Sequence, residues 1–283
     1  MQFQGYKVSL FALLMSCSPG LYALHLPLWE AGVGASTLRI PAYRGSPSVV
    51  YYAVPFPYFI YRGEVVRVDG EGVSGRVFDR DNIRLDLSLG GNVPVRREQN
   101  GLRAGMPGLD PVVEAGPTLN IRLSEKGAQN DYWGLHFPLR PVFSAANRHL
   151  FPEPAYRGWV LAPHVEWQTL WRSRSGLFGF KSSLGALYGD ARYHEYFYDV
   201  APAYATATRP AYQATAGYSG TRFTGMLSYY ATPHLSFTLY VRYDELSGAT
   251  FEHSPIVTDR HYAMVALTAI WVFWFSEHHV EHL

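Results

Sequence analysis

The sequence predicts an all-β protein, a transmembrane antiparallel up-and-down β-barrel of about twelve strands, with ten as the alternative. Three observations carry this: apolar and polar residues alternate over long segments, rings gather near the segment ends, and the N-terminus reads as an export signal. Composition agrees. Charged residues make up 17% of the chain against about 25% in an average soluble domain, while 21 tyrosines, seven tryptophans and 26 glycines suit many strands, turns and membrane-interface rings. The net charge of +1 gives no reason to expect nucleic acid as a partner.

Residues 1–23 are expected to be a removed signal peptide, residues 24–275 the barrel, and residues 276–283 a short tail. Lys7 supplies a positive start, Val8 to Met15 a short apolar stretch, and Leu21-Tyr22-Ala23 a cleavage end, with Leu21 larger than the ideal residue there. The only cysteine, Cys17, falls within this segment, so the mature chain carries no disulfide and no thiolate ligand. The alternative is a lipobox at Leu14-Met15-Ser16-Cys17, which Met15 fits poorly.

Strands are expected near 28–38, 50–61, 64–78, 82–91, 111–123, 131–142, 156–170, 177–198, 221–231, 234–246 and 261–275. That makes eleven, and bacterial barrels use even numbers. The glycine-broken stretch 64–78, which divides readily into two strands, and the N-terminal segment are the places to look for the twelfth. Segments 91–110, 143–155, 199–220 and 247–260 are expected to be long outward loops. Thr232-Pro233 and Arg172 to Gly176 are expected to be short periplasmic turns.

The alternation identifies faces. Leu235, Phe237, Leu239, Val241 and Tyr243 alternate with Ser236, Thr238, Arg242 and Asp244, Tyr240 being the one exception. Ile83, Leu85, Leu87 and Leu89 alternate with Arg84, Asp86 and Ser88. Leu119, Ile121 and Leu123 alternate with Asn120, Arg122 and Ser124, and Trp159, Leu161, Val165 and Trp167 with His164, Glu166 and Gln168. Successive side chains of a strand point to opposite faces, so each apolar set shares one face. A soluble sandwich would bury that face, whereas a membrane barrel turns it to lipid. Strand lengths of about ten residues, enough for a tilted strand to cross hydrocarbon, favour the barrel. So do the paired rings at Tyr51-Tyr52, Tyr58-Phe59 and Tyr229-Tyr230. No apolar run after residue 23 reaches the roughly 18 to 20 residues of a membrane helix. The polar face then lines the lumen with Arg84, Asp86, Glu166, Arg242 and Asp244.

Several stretches resemble one family, in its order along the chain. They are Gly32-Val33-Gly34 with Pro41-Ala42-Tyr43-Arg44-Gly45-Ser46, then Val54-Pro55-Phe56-Pro57-Tyr58, Tyr61-Arg62-Gly63 and Asp69-Gly70-Glu71-Gly72. Arg103-Ala104-Gly105-Met106-Pro107-Gly108-Leu109-Asp110 and Glu114-Ala115-Gly116-Pro117 follow. After these come Tyr196-Phe197-Tyr198-Asp199-Val200, Ala211-Tyr212-Gln213-Ala214, Tyr243-Asp244-Glu245-Leu246-Ser247-Gly248 and Ser254-Pro255-Ile256-Val257. Together they resemble the MipA/OmpV family of outer-membrane proteins. The resemblance implies a barrel in the outer-membrane lipid without enzymatic activity. It also implies a scaffold bridging a lytic transglycosylase and a murein synthase of the penicillin-binding type, with a porin-like channel as the alternative. Barrels of this type usually finish on an aromatic residue; here Ser276 to Leu283 follow Phe275.

No catalytic, cofactor-binding or metal site is expected. His278, His279 and His282 with Glu277 and Glu281 offer zinc or copper ligands, but a solvated terminus is the expectation. His164 and Glu166 share a polar face and Ser183 could imitate a lipid-hydrolase serine, yet no Gly-x-Ser-x-Gly elbow occurs. Arg96, Arg97 and Arg103 are expected in an outer loop, where lipopolysaccharide phosphates and plain solvation explain them equally well. Gly105-Met106-Pro107-Gly108 and Ser254-Pro255 read as turn punctuation.

Overall fold

A computed structural model describes residues 25–63, 66–69, 72–92, 101–125, 131–146 and 153–281. The signal segment, Cys17, Arg96, Arg97 and His282 lie outside the described residues.

In chain order the strands are β1 (His25–Pro27), β2 (Trp29–Pro41), β3 (Val49–Arg62), β4 (Val66–Asp69), β5 (Gly72–Arg80), β6 (Ile83–Asn92), β7 (Val112–Arg122) and β8 (Asp131–Ala146). There follow β9 (Glu153–Leu161), β10 (His164–Ser173), β11 (Gly176–Gly189), β12 (Gly217–Tyr230), β13 (Leu235–Glu245), β14 (His261–Phe275) and β15 (His279–Glu281). One helix, α1 (Ala191–Tyr198), stands between β11 and β12. Every pairing is antiparallel, and the ring closes where β14 meets β2. Strands β9 and β10 are one strand broken at Ala162-Pro163, since both pair with β8 and His164↔His136 continues the register of Leu161↔Leu139. Pro163 has no N–H for the ladder, which is why the strand breaks there. Counted this way the wall has twelve strands among the described residues, and stretch 64–78 is indeed a hairpin of two. Closure gives the wall's backbone groups partners along the ring, as hydrocarbon demands.

The outer face is apolar. Leu184, Phe223, Leu227, Phe237, Leu239, Val265 and Leu267 are all exposed. Near the periplasmic rim a ladder of rings crosses four strands, Trp171 on Phe178 at 5.4 Å, Phe178 on Tyr229 at 4.8 Å and Tyr229 on Phe237 at 6.5 Å. Such rings suit the level where hydrocarbon meets headgroups.

Two expectations need correction. Segment 177–198 is not one strand: β11 ends at Gly189 and Asp190 caps α1, its Oδ1 accepting from Tyr193 N at 2.9 Å. The aromatic content of Tyr193 to Tyr198 imitates a strand, but a capping aspartate ahead of the run is a helix start. The tail is not a frayed end either. Residues 279–281 pair with 25–27, with Leu28 N donating to His278 O at 2.8 Å. Because β2 and β14 are neighbours, β1 and β15 start from the same point of the rim, so pairing them closes no long loop.

Candidate functional site

The interior of the barrel is the place where polar and charged groups converge, and its two walls differ. On β2, β3 and β14 the interior face carries Leu38, Ile40, Phe56, Tyr58, Ile60 and Met264, all buried. Gly34 has no side chain because the Phe56 ring occupies the space that a Cβ would need. The uniform polar lumen expected from alternation is therefore wrong for this quarter of the wall. Apart from the buried pair Ser36 and Thr268 and the rim residue Glu30, both faces of these strands are largely apolar, which alternation cannot register.

The opposite wall carries the polar residues read from the sequence. Arg84 Nε lies 2.8 Å from Asp86 Oδ2, which accepts from Asn120 Nδ2 at 2.9 Å. Asn120 Oδ1 meets His136 Nδ1 at 2.7 Å. Glu166, buried, faces Lys181 Nζ at 2.9 Å, and its other oxygen lies 3.7 Å from His136 Nε2. The rings of His136 and His164 stack at 5.0 Å. Ser183 pairs with Thr224 Oγ1 at 2.6 Å, while His164 Nδ1 is directed at Ala162 O at 2.9 Å. The serine–histidine pair that a lipid hydrolase requires is thus not assembled by these two residues.

Higher up, three guanidinium groups meet one carboxylate. Arg222 holds Asp244 through two contacts of 2.9 Å, Arg242 through contacts of 3.0 and 2.7 Å, and Arg44 Nε reaches Asp244 Oδ2 at 2.7 Å. Asp244 is fully buried. Arg222, Arg242 and Asp244 come from β12 and β13, whereas Arg44 comes from the loop after β2 and also donates to Ser219 O. The sequence pointed to Asp244 and Arg242 as lumen residues but carried no sign that Arg44, about two hundred residues away, would join them.

Arg44 belongs to a plug built by the outward segments. Phe251, with no exposed surface, stacks on Tyr198 of α1 at 3.6 Å. Ser254 Oγ donates to Tyr198 O at 2.7 Å, and Tyr43 Oη to Ile256 O at 2.7 Å. Arg103 Nη1 donates to Phe197 O at 2.9 Å, and Arg209 Nη1 to Leu102 O and Ala104 O at 2.8 and 2.9 Å. Arg103 is buried, so it holds loops together and meets neither lipopolysaccharide nor open solvent, the two readings the sequence offered. The plug's apolar core includes Val112, Val142 and Val160 from the tops of β7, β8 and β9. The loops therefore fold into the mouth and pack on the wall. Ser254-Pro255 and Gly105-Met106 serve as turns, as read, but Ser254 and Met106 also anchor the plug from buried positions.

His194 of α1 sets a pH limit on this plug. It is fully buried, with Nδ1 on Thr215 O at 2.6 Å and Nε2 on Ser219 Oγ. Burial holds its imidazole below the ordinary value of about 6.5. The unfolded chain then binds a proton near pH 6.5 and the folded chain only at lower pH. The contribution of His194 is therefore complete above that value and declines as pH falls below it, by at most about 1.4 kcal/mol per pH unit. Melting temperatures taken from pH 7.5 down to about 5 are expected to fall more steeply for the natural chain than for His194→Gln. Parallel profiles would show that the imidazole has no part in it.

A model of the MltA-interacting protein MipA family matches residues 33–273. Among solved structures the chain is similar to a NanC porin, at 9% identity over 86% of this chain and 98% of that one with a TM-score of 0.36. It is similar to a bacterial polysaccharide outer membrane secretin at 12% identity over 89% and 100%, TM-score 0.37, and to the CymD monoaromatic hydrocarbon channel at 9% over 90% of each chain, TM-score 0.37. No curated protein matches it.

Proposed function

This chain belongs to the MltA-interacting protein MipA family, and from that premise we propose that it is an outer-membrane barrel that gathers murein-processing enzymes at its periplasmic face. It is an outer-membrane β-barrel; the scaffold role is the step beyond that. The observation that carries the reading is the asymmetry of the two ends. The outward mouth is filled by the packed plug around Phe251 and the Asp244 cluster, which favours an anchor over an open pore. The periplasmic end instead presents short turns and the β1–β15 ribbon. Arg62 fixes that ribbon to the rim through Glu30 at 2.8 Å and Pro27 O at 2.8 Å. The family's description, MltA-interacting protein, supports a protein partner at this face; the pair proposed is a lytic transglycosylase and a synthase of the penicillin-binding type.

Such a role needs no chemistry from the barrel. Enzymes held at one depth below the membrane meet the same stretch of peptidoglycan, and two modest contacts on one anchor raise the effective concentration of each enzyme for the other. Recovery of a murein hydrolase with the full chain from solubilised envelopes is the expected result. Replacing 172–176, 124–130 and 277–281 by Gly/Ser is expected to abolish it. If no murein enzyme is recovered while the refolded barrel conducts ions steadily in a planar bilayer, the porin-like reading replaces this one.

A further inference from the structure

We infer that His136, His164 and Glu166 form a binding site for one divalent transition-metal ion of the zinc class inside the barrel. One nitrogen of each ring and one Glu166 oxygen lie within 4.8 Å of one another. The three residues come from two neighbouring strands in fixed register, His164↔His136 and Glu166↔Gly134, so the set is presented by a rigid wall. None of these residues belongs to the plug or to the Asp244 cluster.

The tautomers follow from the partners. Ala162 O can only accept, so His164 Nδ1 carries the proton of that 2.9 Å bond. The Asn120 amide nitrogen donates to Asp86, which turns its Oδ1 toward His136 Nδ1 at 2.7 Å, so that nitrogen is protonated too. Both rings then keep the lone pair on Nε2, the atom left for a metal. Ligating histidines are held in this way by an acceptor on the other nitrogen. The break at Ala162-Pro163 contributes, because it places the Ala162 carbonyl beside the His164 ring.

His136 Nε2 faces a Glu166 oxygen at 3.7 Å, an acceptor against an acceptor, with the Tyr132 hydroxyl at 3.5 Å as its one long donor contact, which an incoming ion displaces. A cation between them relieves that opposition. Lys181 holds the second Glu166 oxygen at 2.9 Å and orients the carboxylate. Gln168 Nε2 donates to the first at 2.5 Å and is displaced when an ion takes it. Gly134 stands opposite Glu166, and its missing side chain makes room for the His136 ring and the Tyr132 hydroxyl; a Cβ there would come within 2.8 Å of His136 Nε2 and closer still to Tyr132 Oη. Two imidazoles and a carboxylate suit zinc, with copper and nickel as competitors. Bonds of about 2.0–2.2 Å place tetrahedral ligands roughly 3.4 Å apart, so the side chains close by up to about 1.4 Å on binding. Three protein ligands leave a fourth position for water or a small anion.

Calorimetric titration of the detergent-folded full chain with ZnCl2 tests this. One ion per chain is expected, with binding abolished in His136→Ala and Glu166→Gln and unchanged when His278 and His279 are both replaced by Ala. Asn120→Ala keeps all three ligands but frees His136 Nδ1, and is expected to weaken binding about 10- to 100-fold. This variant carries the test if a ligand substitution fails to give the compact, heat-modifiable band of a folded barrel. Absence of zinc binding by the natural chain overturns the inference, as does binding that survives the ligand substitutions or is lost with the two tail histidines.

Discussion

Asp244→Asn is expected to destabilise the folded barrel by about 3–5 kcal/mol, the cost of breaking a buried ion pair by removing one partner. The substitution keeps the shape and removes the one carboxylate that Arg44, Arg222 and Arg242 share among the described residues. The three guanidiniums then face one another in a site where Asp244 has no exposed surface. Arg222 is the most exposed of the three, at 29%, so water screens part of its charge. Replacing Arg222 by Gln in the same chain is accordingly expected to restore part of the loss, because one repulsive charge leaves with it. Urea unfolding in lipid vesicles measures both values. Since Arg44 also holds the plug to Ser219, ion conductance should rise in Asp244→Asn as the plug loosens. Unchanged stability in the single variant would mean that solvent, and not the cluster, compensates these charges.

Leu239→Arg is expected to cost about 2–4 kcal/mol, the value for a cation on the lipid face near the bilayer midplane. Leu239 lies between Leu227 on β12 and Leu267 on β14, and all three are exposed on the outer face. Phe237 stands two residues nearer the periplasmic rim, stacked on Tyr229 in the ring ladder. There the polar headgroups are close, so Phe237→Arg should cost less, falling toward about 0–1 kcal/mol at the interface. A gradient between the two positions is the signature of lipid. Indifference at Leu239 would show that this face does not meet hydrocarbon.

The fold class was legible in the residues because a strand has a period of two and a barrel wall has two different solvents. Alternation in Leu235–Glu245, Ile83–Asn92 and His164–Ser173 reports that difference directly, and each of the five expected lumen residues does face inward. Where both faces are apolar, as in β2, β3 and β14, the same signal is silent, and the apolar interior wall of Phe56, Ile60 and Met264 went unread. The helix at Ala191–Tyr198 was missed because a rich run of rings outweighed a single capping aspartate.

What the sequence by itself determined is therefore local: strand spans, turn positions, the inward set on the polar wall, and the family pattern. Tertiary structure alone decided which distant residues meet. Arg44 reaches Asp244, and Asn120, His136, His164 and Glu166 converge from three strands. The physical reason is register. Pairing Leu161 with Leu139 aligns His164 with His136 by backbone hydrogen bonds that take no account of either imidazole. A shift of one residue would have turned one of the rings to lipid.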